Sequence, residues 1–368
     1  MGLLGRAFDG WLAMRNRLLA SPDFQKFAVS FPLFRPISRR RSRQLFDLLA
    51  GFTYSQVLYA TVKLGLIEQL RAAPLSAAAL AARTGWSVPA LERLLKSAVS
   101  LDLLTLTSTG DYTLGNHGAA LAGNPWIAKF ITHHHLLYED LADPLALFSG
   151  QKPDARLKSF WGYSGENDVG QPNAQAYTDL MAASQEAVAA EILAAYDLGR
   201  HRHLIDVGGS NGTFLAAAAA RHPGLRLTLF DLPAVAGLAR ARLGTRAEIV
   251  GGSFLTEDLP KGADVATLIR IAHDHDDASV LKVLSAIRRM LPPGGTLLLA
   301  EPLSGIPSIA PIADAYFGAY FAAMGQGRTR TARELAQLAK EAGFGPVKLA
   351  RTRNPVVTSL LVFTVPEN

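Results

Sequence analysis

The sequence contains no cysteine among its 368 residues. Disulfides and thiol nucleophiles are therefore excluded, and the composition suits a reducing cytoplasm. The sequence also lacks an uninterrupted apolar run of the roughly 18 residues that a membrane span requires. The amino terminus has no small-residue cleavage site behind an apolar core, so we expect no signal peptide. We therefore expect a cytoplasmic protein.

Positive charge is concentrated at the amino-terminal end. Residues 1–50 carry nine Arg and Lys against three Asp, which accounts for the whole net charge of +6, and the remaining residues balance to zero. Apolar residues recur in the same segment at near-helical spacing, from Leu4 through Trp11 to Leu19. A basic helix with one apolar face is typical of a membrane-surface or partner-binding segment. Residues 1–41 are thus predicted to form a basic amphipathic arm that contacts either the inner membrane or a second copy of the chain.

A glycine-rich turn follows an apolar stretch near the middle of the chain. The run from His203 to Phe214 predicts a strand, a turn through three glycines and a helix rich in alanine. No Gly-Lys-Ser/Thr follows, so the turn is not a P-loop, and the ligand inferred is a nucleoside without a pyrophosphate. The run Gly208-x-Ser210-x-Gly212 also matches the nucleophile elbow of α/β-hydrolases. That alternative needs a late histidine, whereas the last histidine is His275.

A second acid supports nucleoside binding. Asp231 ends the next predicted strand, 25 residues after Asp206 and close to the roughly 20 at which such folds place a carboxylate on a ribose. This pattern resembles the S-adenosylmethionine-dependent methyltransferases, which implies an α/β fold with a Rossmann-like sheet. Strands are expected at 225–230, 246–250, 264–269, 296–300, 347–351 and 358–364. The resemblance implies that the cofactor is bound by Asp206, Gly208, Gly209, Gly212, Asp231, Leu232, Ser253, Phe254, Arg270, Asp274 and Ser184.

The region before this domain is predicted to be mostly helical. Helices are expected over 75–85 and from Ser87, followed by a hairpin at 103–106 and 112–114. Helix, turn, helix and wing also suit a DNA-binding regulator, but residues 88–101 offer only Arg93 and Lys96 as basic groups. The plant-like small-molecule O-methyltransferases carry a winged-helix-like dimerisation module here, which the chain resembles. That resemblance implies residues 42–190 as the dimerisation and substrate-roof domain, residues 191–368 as the catalytic domain, a homodimer and no nucleic-acid partner.

The stretch after the fourth strand of the predicted sheet holds the catalytic candidates. A histidine beyond the carboxyl end of a strand, with an ordinary pKa of about 6.5, suits a general base. The run from Arg270 to Asp277 resembles the family's His-Asp-Trp-x-Asp block, which implies His273 as the base and Glu301 as the residue that orients it. The family's second flanking glutamate is replaced by Thr329, so we expect support of the base from one side. A metal site and capping of the next helix are the alternatives, and we expect no metal.

An aromatic stripe is expected beside the base. Phe317, Tyr320, Phe321 and Met324 follow helical spacing, which suits either core or an apolar substrate pocket. Tyr177 and Met181 are expected to complete the substrate site. Three consecutive histidines, residues 133–135, point in different directions on a helix and are expected on the substrate side rather than around one metal.

The resemblance extends over nearly the whole chain. The stretches 15–24, 50–56, 268–277 and 314–317 look most like the carotenoid O-methyltransferases of purple phototrophic bacteria. This implies transfer of a methyl group to the tertiary C1-hydroxyl of an acyclic carotenoid in the spheroidene or spirilloxanthin pathway. A polyketide or other aromatic phenol is the alternative substrate.

Overall fold

The computed structural model describes residues 3–160 and 174–367; the side chains of residues 3–4 and 174–183 lie outside this description. Two compact units divide the chain at residue 123, Met1–Gly123 and Asn124–Asn368. Within the described residues, no helix is both long and apolar enough to cross a membrane.

The first unit is helical with one small hairpin. Its helices are α1 (Leu3–Ala20), α2 (Pro22–Ser30), α3 (Arg35–Lys63), α4 (Leu66–Leu70), α5 (Ala77–Thr84), α6 (Val88–Ser100) and α7 (Asn116–Ala122). The predicted hairpin is confirmed as β1 (Leu104–Leu106) paired antiparallel with β2 (Tyr112–Leu114). Buried Leu80, Leu91 and Leu95 form the interior of the helix-turn-helix part.

The second unit begins with helices and continues as an α/β domain. Its helices are α8 (Pro125–His133), α9 (His135–Asp140), α10 (Pro144–Phe148), α11 (Arg156–Phe160), α12 (Ala174–Ala195), α13 (Thr213–Arg221), α14 (Pro233–Leu243), α15 (Asp277–Met290), α16 (Phe317–Met324) and α17 (Ala332–Glu341). Its strands are β3 (His203–Val207), β4 (Arg226–Asp231), β5 (Glu248–Gly251), β6 (Val265–Ile269), β7 (Thr296–Glu301), β8 (Lys348–Ala350) and β9 (Ser359–Thr364). Short 3-10 turns occupy Leu198–Arg200, Gly244–Arg246, Ala272–Asp274 and Pro307–Ile309, and a π-helix spans Pro311–Tyr316.

The seven strands form one mixed sheet in the order β5-β4-β3-β6-β7-β9-β8. Strands β3 to β7 are parallel, and β9 runs antiparallel to its neighbours. Alternate residues of the central strands enter two apolar clusters, as Ile205 and Leu204 of β3 do. The predicted α/β class and its strands are thereby confirmed.

The sheet register brings the predicted site residues to one edge. Val207 pairs with Phe230, and Ile269 pairs with Ala300. Residues that follow these pairs therefore emerge together at the carboxyl ends of the strands, where open α/β sheets bind ligands.

Helices α3 and α12 run across residues 41 and 190, at which the sequence predicted domain boundaries. The three-part division of the chain stays a prediction. Residues 150–173 are rich in Gly, Pro and polar residues, which predicts a loop there. The structure places α11 within this stretch, and residues 161–173 lie outside the described part of the chain.

Candidate active site

The glycine turn after β3 is held in a conformation that a larger residue resists. Gly208 has a φ of +73°, and its N–H donates to the carbonyl of Phe230. A Cβ at this position would lie 2.5 Å from Cδ1 of Ile271. The neighbouring Ser210 has a φ of +50°, which is uncommon for a residue with a side chain and points to a functional constraint. Gly209 and Gly212 complete the turn, as the sequence predicted.

Asp206 offers a buried acceptor toward this turn. It is only 1% exposed, and its Oδ1 accepts a hydrogen bond of 2.7 Å from Thr267. Its Oδ2 is buried and finds no hydrogen-bond partner within the described residues. Burial, together with the charge of Asp231, raises the pKa of Asp206 to about 7. An orphaned acceptor beside the glycine turn fits a ligand that donates hydrogen bonds.

Asp231 stands on the adjacent strand end. Its two oxygens accept 2.7 Å hydrogen bonds from the N–H groups of Ser210 and Leu232. Burial raises the pKa of Asp231 to about 6, although these two hydrogen bonds oppose the shift. The carboxylate thus ties the glycine turn to β4 and leaves acceptor capacity for a ribose.

The remaining predicted cofactor residues flank the two acids. Gly252 donates its N–H to the carbonyl of Asp231, which places the turn carrying Ser253 beside β4. Ser253 donates its N–H to Glu257 and accepts from the N–H of Leu255, so it stabilises its own turn. The Phe254 ring meets the His275 ring edge-on with centroids 5.6 Å apart.

Arg270 connects the fourth strand of the parallel part of the sheet, β6, to α12. It is a non-glycine residue with a φ of +57°, and its guanidinium donates to Ser184 Oγ at 2.7 Å. The contact joins two of the predicted cofactor residues, 86 positions apart in the sequence. A strained backbone three residues before His273 fits a functional loop.

His273 and Glu301 form the buried centre of the site. Glu301 ends β7 and is 2% exposed; its Oε1 accepts from the N–H groups of Ile271 and Ala272, and its Oε2 contacts His273 Nδ1. His273 Nε2 lies 3.2 Å from Asp274 Oδ1, an oxygen that has no hydrogen bond within the described chain. Burial lowers the pKa of His273, but the carboxylates of Glu301 and Asp274 outweigh it and raise the pKa to about 10.

The capping alternative applies to Asp276, three residues after His273. Asp276 accepts a 2.8 Å hydrogen bond from the N–H of Ser279 and is the N-cap of α15. The acidic cluster therefore divides between helix capping at Asp276 and contact with His273 at Asp274.

The aromatic stripe borders His273. Tyr320, Phe321 and Met324 are buried in an apolar cluster, and Phe317 packs against it. The ring of Phe321 lies 5.2 Å from the His273 ring, centroid to centroid. Tyr177 and Met181 lie on α12 where side chains are outside the described residues.

Two imidazole–tyrosine pairs connect this cluster to α8 and α9, and sequence reasoning missed them. His133 Nε2 lies 2.9 Å from the Tyr320 hydroxyl, and His134 Nε2 lies 2.7 Å from the Tyr316 hydroxyl. Burial lowers the pKa of His133 to about 4, so the ring is neutral. The histidine run hinted at a role here, but no local signal identified tyrosines more than 180 positions away.

Two family models match the chain. The O-methyltransferase domain covers residues 138–345, and the O-methyltransferase dimerisation domain covers residues 46–122. Two demethylspheroidene O-methyltransferases are similar over most of their length. The one from Cereibacter sphaeroides is 40% identical over 96% of this chain and 94% of the relative, and the one from Rhodobacter capsulatus is 37% identical over 94% and 88%.

A solved structure shares the fold. Human N-acetylserotonin methyltransferase in complex with S-adenosylmethionine superposes with a TM-score of 0.74 at 23% identity, covering 89% of this chain and 98% of the other.

Proposed function

Because the chain belongs to the O-methyltransferase family whose two domains it carries, and is an S-adenosylmethionine-dependent O-methyltransferase, we propose that it methylates a lipophilic alcohol. The substrate proposed is an acyclic carotenoid, methylated at its tertiary C1-hydroxyl. The two demethylspheroidene relatives support this choice.

The pair formed by His273 and Glu301 carries the proposed mechanism. When bound, S-adenosylmethionine supplies a methyl group attached to its own sulfonium leaving group. The protein holds the substrate hydroxyl near His273. The Nε2 atom of His273 accepts the hydroxyl proton while the new carbon–oxygen bond forms. Glu301 fixes Nδ1 as the protonated nitrogen and so presents Nε2. Because the pKa of His273 is raised to about 10, the neutral imidazole becomes more abundant with increasing pH, and kcat/KM should rise through the alkaline range.

The residues expected to hold the cofactor are the two acids and the glycine turn. The orphaned Oδ2 of Asp206 and the acceptor oxygens of Asp231 suit groups that donate hydrogen bonds. Leu232, Ser253, Phe254, Arg270, Asp274 and Ser184 are proposed around them.

The aromatic cluster supports a lipophilic substrate. The polar tips of Tyr320 and Tyr316 are bonded to neutral histidines, so ring faces rather than hydroxyl groups remain to meet a ligand. The π-helix Pro311–Tyr316 immediately precedes α16, which carries these aromatic residues, and π-helical segments are frequent at functional sites. Phe317, Tyr320, Phe321 and Met324, with Tyr177 and Met181, are proposed as the substrate-binding set.

Incubation with labelled S-adenosylmethionine tests the substrate proposal. A panel of 1-hydroxycarotenoids, aromatic phenols and polyketides is offered at equal concentration, and methylated products are identified by mass spectrometry. We expect label in the tertiary ether of an acyclic carotenoid. Preferential labelling of a phenol or polyketide would replace the carotenoid with the alternative substrate class.

The amino-terminal helices are proposed to contact an anionic membrane. Phe8 and Trp11 on α1 stack at 6.0 Å and are both about half exposed, and Leu18 and Leu19 are exposed as well. Polybasic attraction to anionic lipid contributes about 1 kcal/mol per basic residue near the surface and weakens with salt. We therefore propose a cytoplasmic enzyme held peripherally on the inner membrane.

Liposome flotation tests this contact. The full chain should float with anionic vesicles at low salt, and a chain that lacks residues 1–41 should not. Equal flotation of both would assign the arm to the partner protomer instead.

We also propose a homodimer formed through residues 40–130, which the dimerisation domain supports.

A further inference from the structure

The segment Gly327–Thr331 lies directly against the loop that carries His273. The N–H of Arg328 donates to the carbonyl of His273 at 2.8 Å. Gly327 has a φ of +81°, and a Cβ there would collide with the same carbonyl. Only glycine permits this close approach.

Arg330 extends the contact from the backbone to a buried side chain. The residue is 2% exposed. Its Nη1 donates to the carbonyl of Ala272 at 2.5 Å, and its Nη2 donates to the carbonyl of His275 at 2.8 Å. One guanidinium therefore joins the residue before the base to the residue two positions after it.

The position of this guanidinium is itself fixed by a carboxylate. Arg330 Nε donates to Asp277 Oδ1 at 2.8 Å. A buried guanidinium is costly unless its charge and donors are paired, and here Asp277 and the two carbonyls supply the pairing. The rigid fork of arginine suits three acceptors in fixed directions, whereas a lysine ammonium is a single point charge.

Glu301 and Arg330 hold opposite sides of the same loop. Glu301 accepts from the N–H groups of Ile271 and Ala272, whereas Arg330 donates to the carbonyls of Ala272 and His275. The N–H groups of the loop thus donate to the negatively charged Glu301, and its carbonyls accept from the positively charged Arg330. The orientation of the His273 ring relative to Glu301 depends on both.

We propose that Arg330 is a positioning residue for His273 and supplies, from a second side, the support that Thr329 does not give in place of the family's second glutamate. The proposal rests on the proposed function, since it needs His273 to be the base. Arg330 acts through the loop backbone and touches neither the substrate nor the cofactor.

Steady-state kinetics of two variants with a matched control test this role. Arg330→Gln removes the charge and most of the fork, and Arg330→Lys keeps the charge without the fork. The control is Arg246→Gln. The Arg246 guanidinium also donates to backbone carbonyls, those of Pro223 at 2.9 Å and Leu225 at 2.8 Å, but these contacts lie before the amino ends of β4 and β5, whereas His273 follows the carboxyl end of β6.

Arg330→Gln should lower kcat by about ten- to a hundredfold, since a misplacement of about 1 Å can cost a hundredfold. Its KM and its affinity for S-adenosylhomocysteine should stay within about threefold of the wild type. Looser contact with Glu301 should also lower the pKa of His273, so kcat should begin to rise at a lower pH than in the wild type. A loss of stability alone does not shift this profile. Arg330→Lys should fall between the wild type and Arg330→Gln, and Arg246→Gln should keep both kcat and the pH profile.

Wild-type kcat and pH profile in Arg330→Lys would overturn the proposal, even if Arg330→Gln failed to fold. An equal loss of kcat in Arg246→Gln would also overturn it, because the effect would then belong to general stability. Failure of the proposed function has a different signature: His273→Ala would keep its turnover whatever the Arg330 variants do.

Discussion

The helices of the first unit and the sheet edge of the second unit depart from ordinary burial in opposite ways. Leu48 and Leu49 on α3 are 80% and 67% exposed, although both are large apolar side chains. Asp206 and Glu301 at the sheet edge are only 1% and 2% exposed, although both are carboxylates. Folding of either unit by itself favours neither arrangement.

Each departure points to something outside the fold. Exposed apolar surface of this kind marks a protein or membrane contact. Burial of a carboxylate costs free energy unless it accepts hydrogen bonds. Buried carboxylates are therefore frequent at sites where a ligand or a reaction uses them. The first unit is therefore interpreted as a surface for association, and the sheet edge as the site of chemistry. Changes in one region should alter assembly, and changes in the other should alter binding and turnover.

The apolar stripe of α3, defined as Leu45, Leu48, Leu49 and Phe52, gives the largest expected effect. Leu48→Asp with Leu49→Asp places several like charges in the proposed dimer contact. Like-charge juxtaposition costs several kcal/mol, so the dimer dissociation constant should rise by at least about a thousandfold. Mass photometry at nanomolar concentration should show monomers near 39.4 kDa.

The matched control is Leu349→Asp on β8, where an exposed leucine lies in the second unit. This variant should remain dimeric. A wild-type chain that is already monomeric at nanomolar concentration would contradict the interpretation of the stripe.

Glu301→Gln should mainly reduce turnover. The amide keeps the size of the side chain but loses the negative charge that contacts His273 Nδ1 and that we propose orients the ring. We expect kcat to fall by about ten- to a hundredfold, with cofactor affinity close to the wild type. Unchanged kcat would show that Glu301 does not assist His273.

Asp231→Ala should mainly reduce cofactor affinity. Loss of a charge-assisted hydrogen bond costs about 1.5–3 kcal/mol, so affinity for S-adenosylhomocysteine should weaken about tenfold or more. Calorimetry gives the value, and Asp258→Ala is the control because that carboxylate is exposed. Equal affinities of the wild type and Asp231→Ala would exclude Asp231 from the cofactor site.

The raised pKa of Asp231 predicts a smaller effect, a dependence of cofactor affinity on pH. Burial raises the pKa of Asp231 to about 6 in the free protein. The ionised carboxylate accepts at both oxygens, whereas protonation turns one of them into a donor, so the proposed ribose contact should weaken on protonation. The ionised fraction therefore grows between pH 5 and pH 7, and affinity for S-adenosylhomocysteine should rise by up to about tenfold over that range. Asp231→Asn cannot ionise and should lose the rise between pH 5 and pH 6, where Asp206, with a pKa of about 7, remains protonated; if the variant retains the full rise in that range, another group is responsible.

The two regions also differed in how well the sequence predicted them. Strands such as β6 and β7 are buried on both faces, so they read as continuous apolar runs whose ends are marked by glycine, arginine or acid. The amino-terminal helices were harder to delimit. Pro32 and Pro36 predict a break after the basic arm, and the chain does break between the end of α2 at Ser30 and the start of α3 at Arg35, with Pro36 in the first turn of α3. Helix α3 then continues across residue 41, the predicted end of the arm.

Side-chain partners were the least predictable part of the site. His273 and Glu301 followed from resemblance, and the register explains their meeting. The pairs His133–Tyr320 and His134–Tyr316 join distant segments and leave no periodic signal. Thr329 suggested missing support for the base, and the support by Arg330 became visible only from the backbone carbonyls that it reaches.

The central claim is that His273 is the general base, and turnover of His273→Ala tests it most directly. The measurement is kcat on the labelled acceptor, with cofactor binding confirmed by calorimetry and chelator present throughout. We expect normal S-adenosylhomocysteine affinity and a loss in kcat of about a hundred- to ten-thousandfold, the usual contribution of positioned proton transfer. Near-wild-type turnover with cofactor bound would contradict the claim and would mean that alignment of the two substrates is sufficient for methyl transfer.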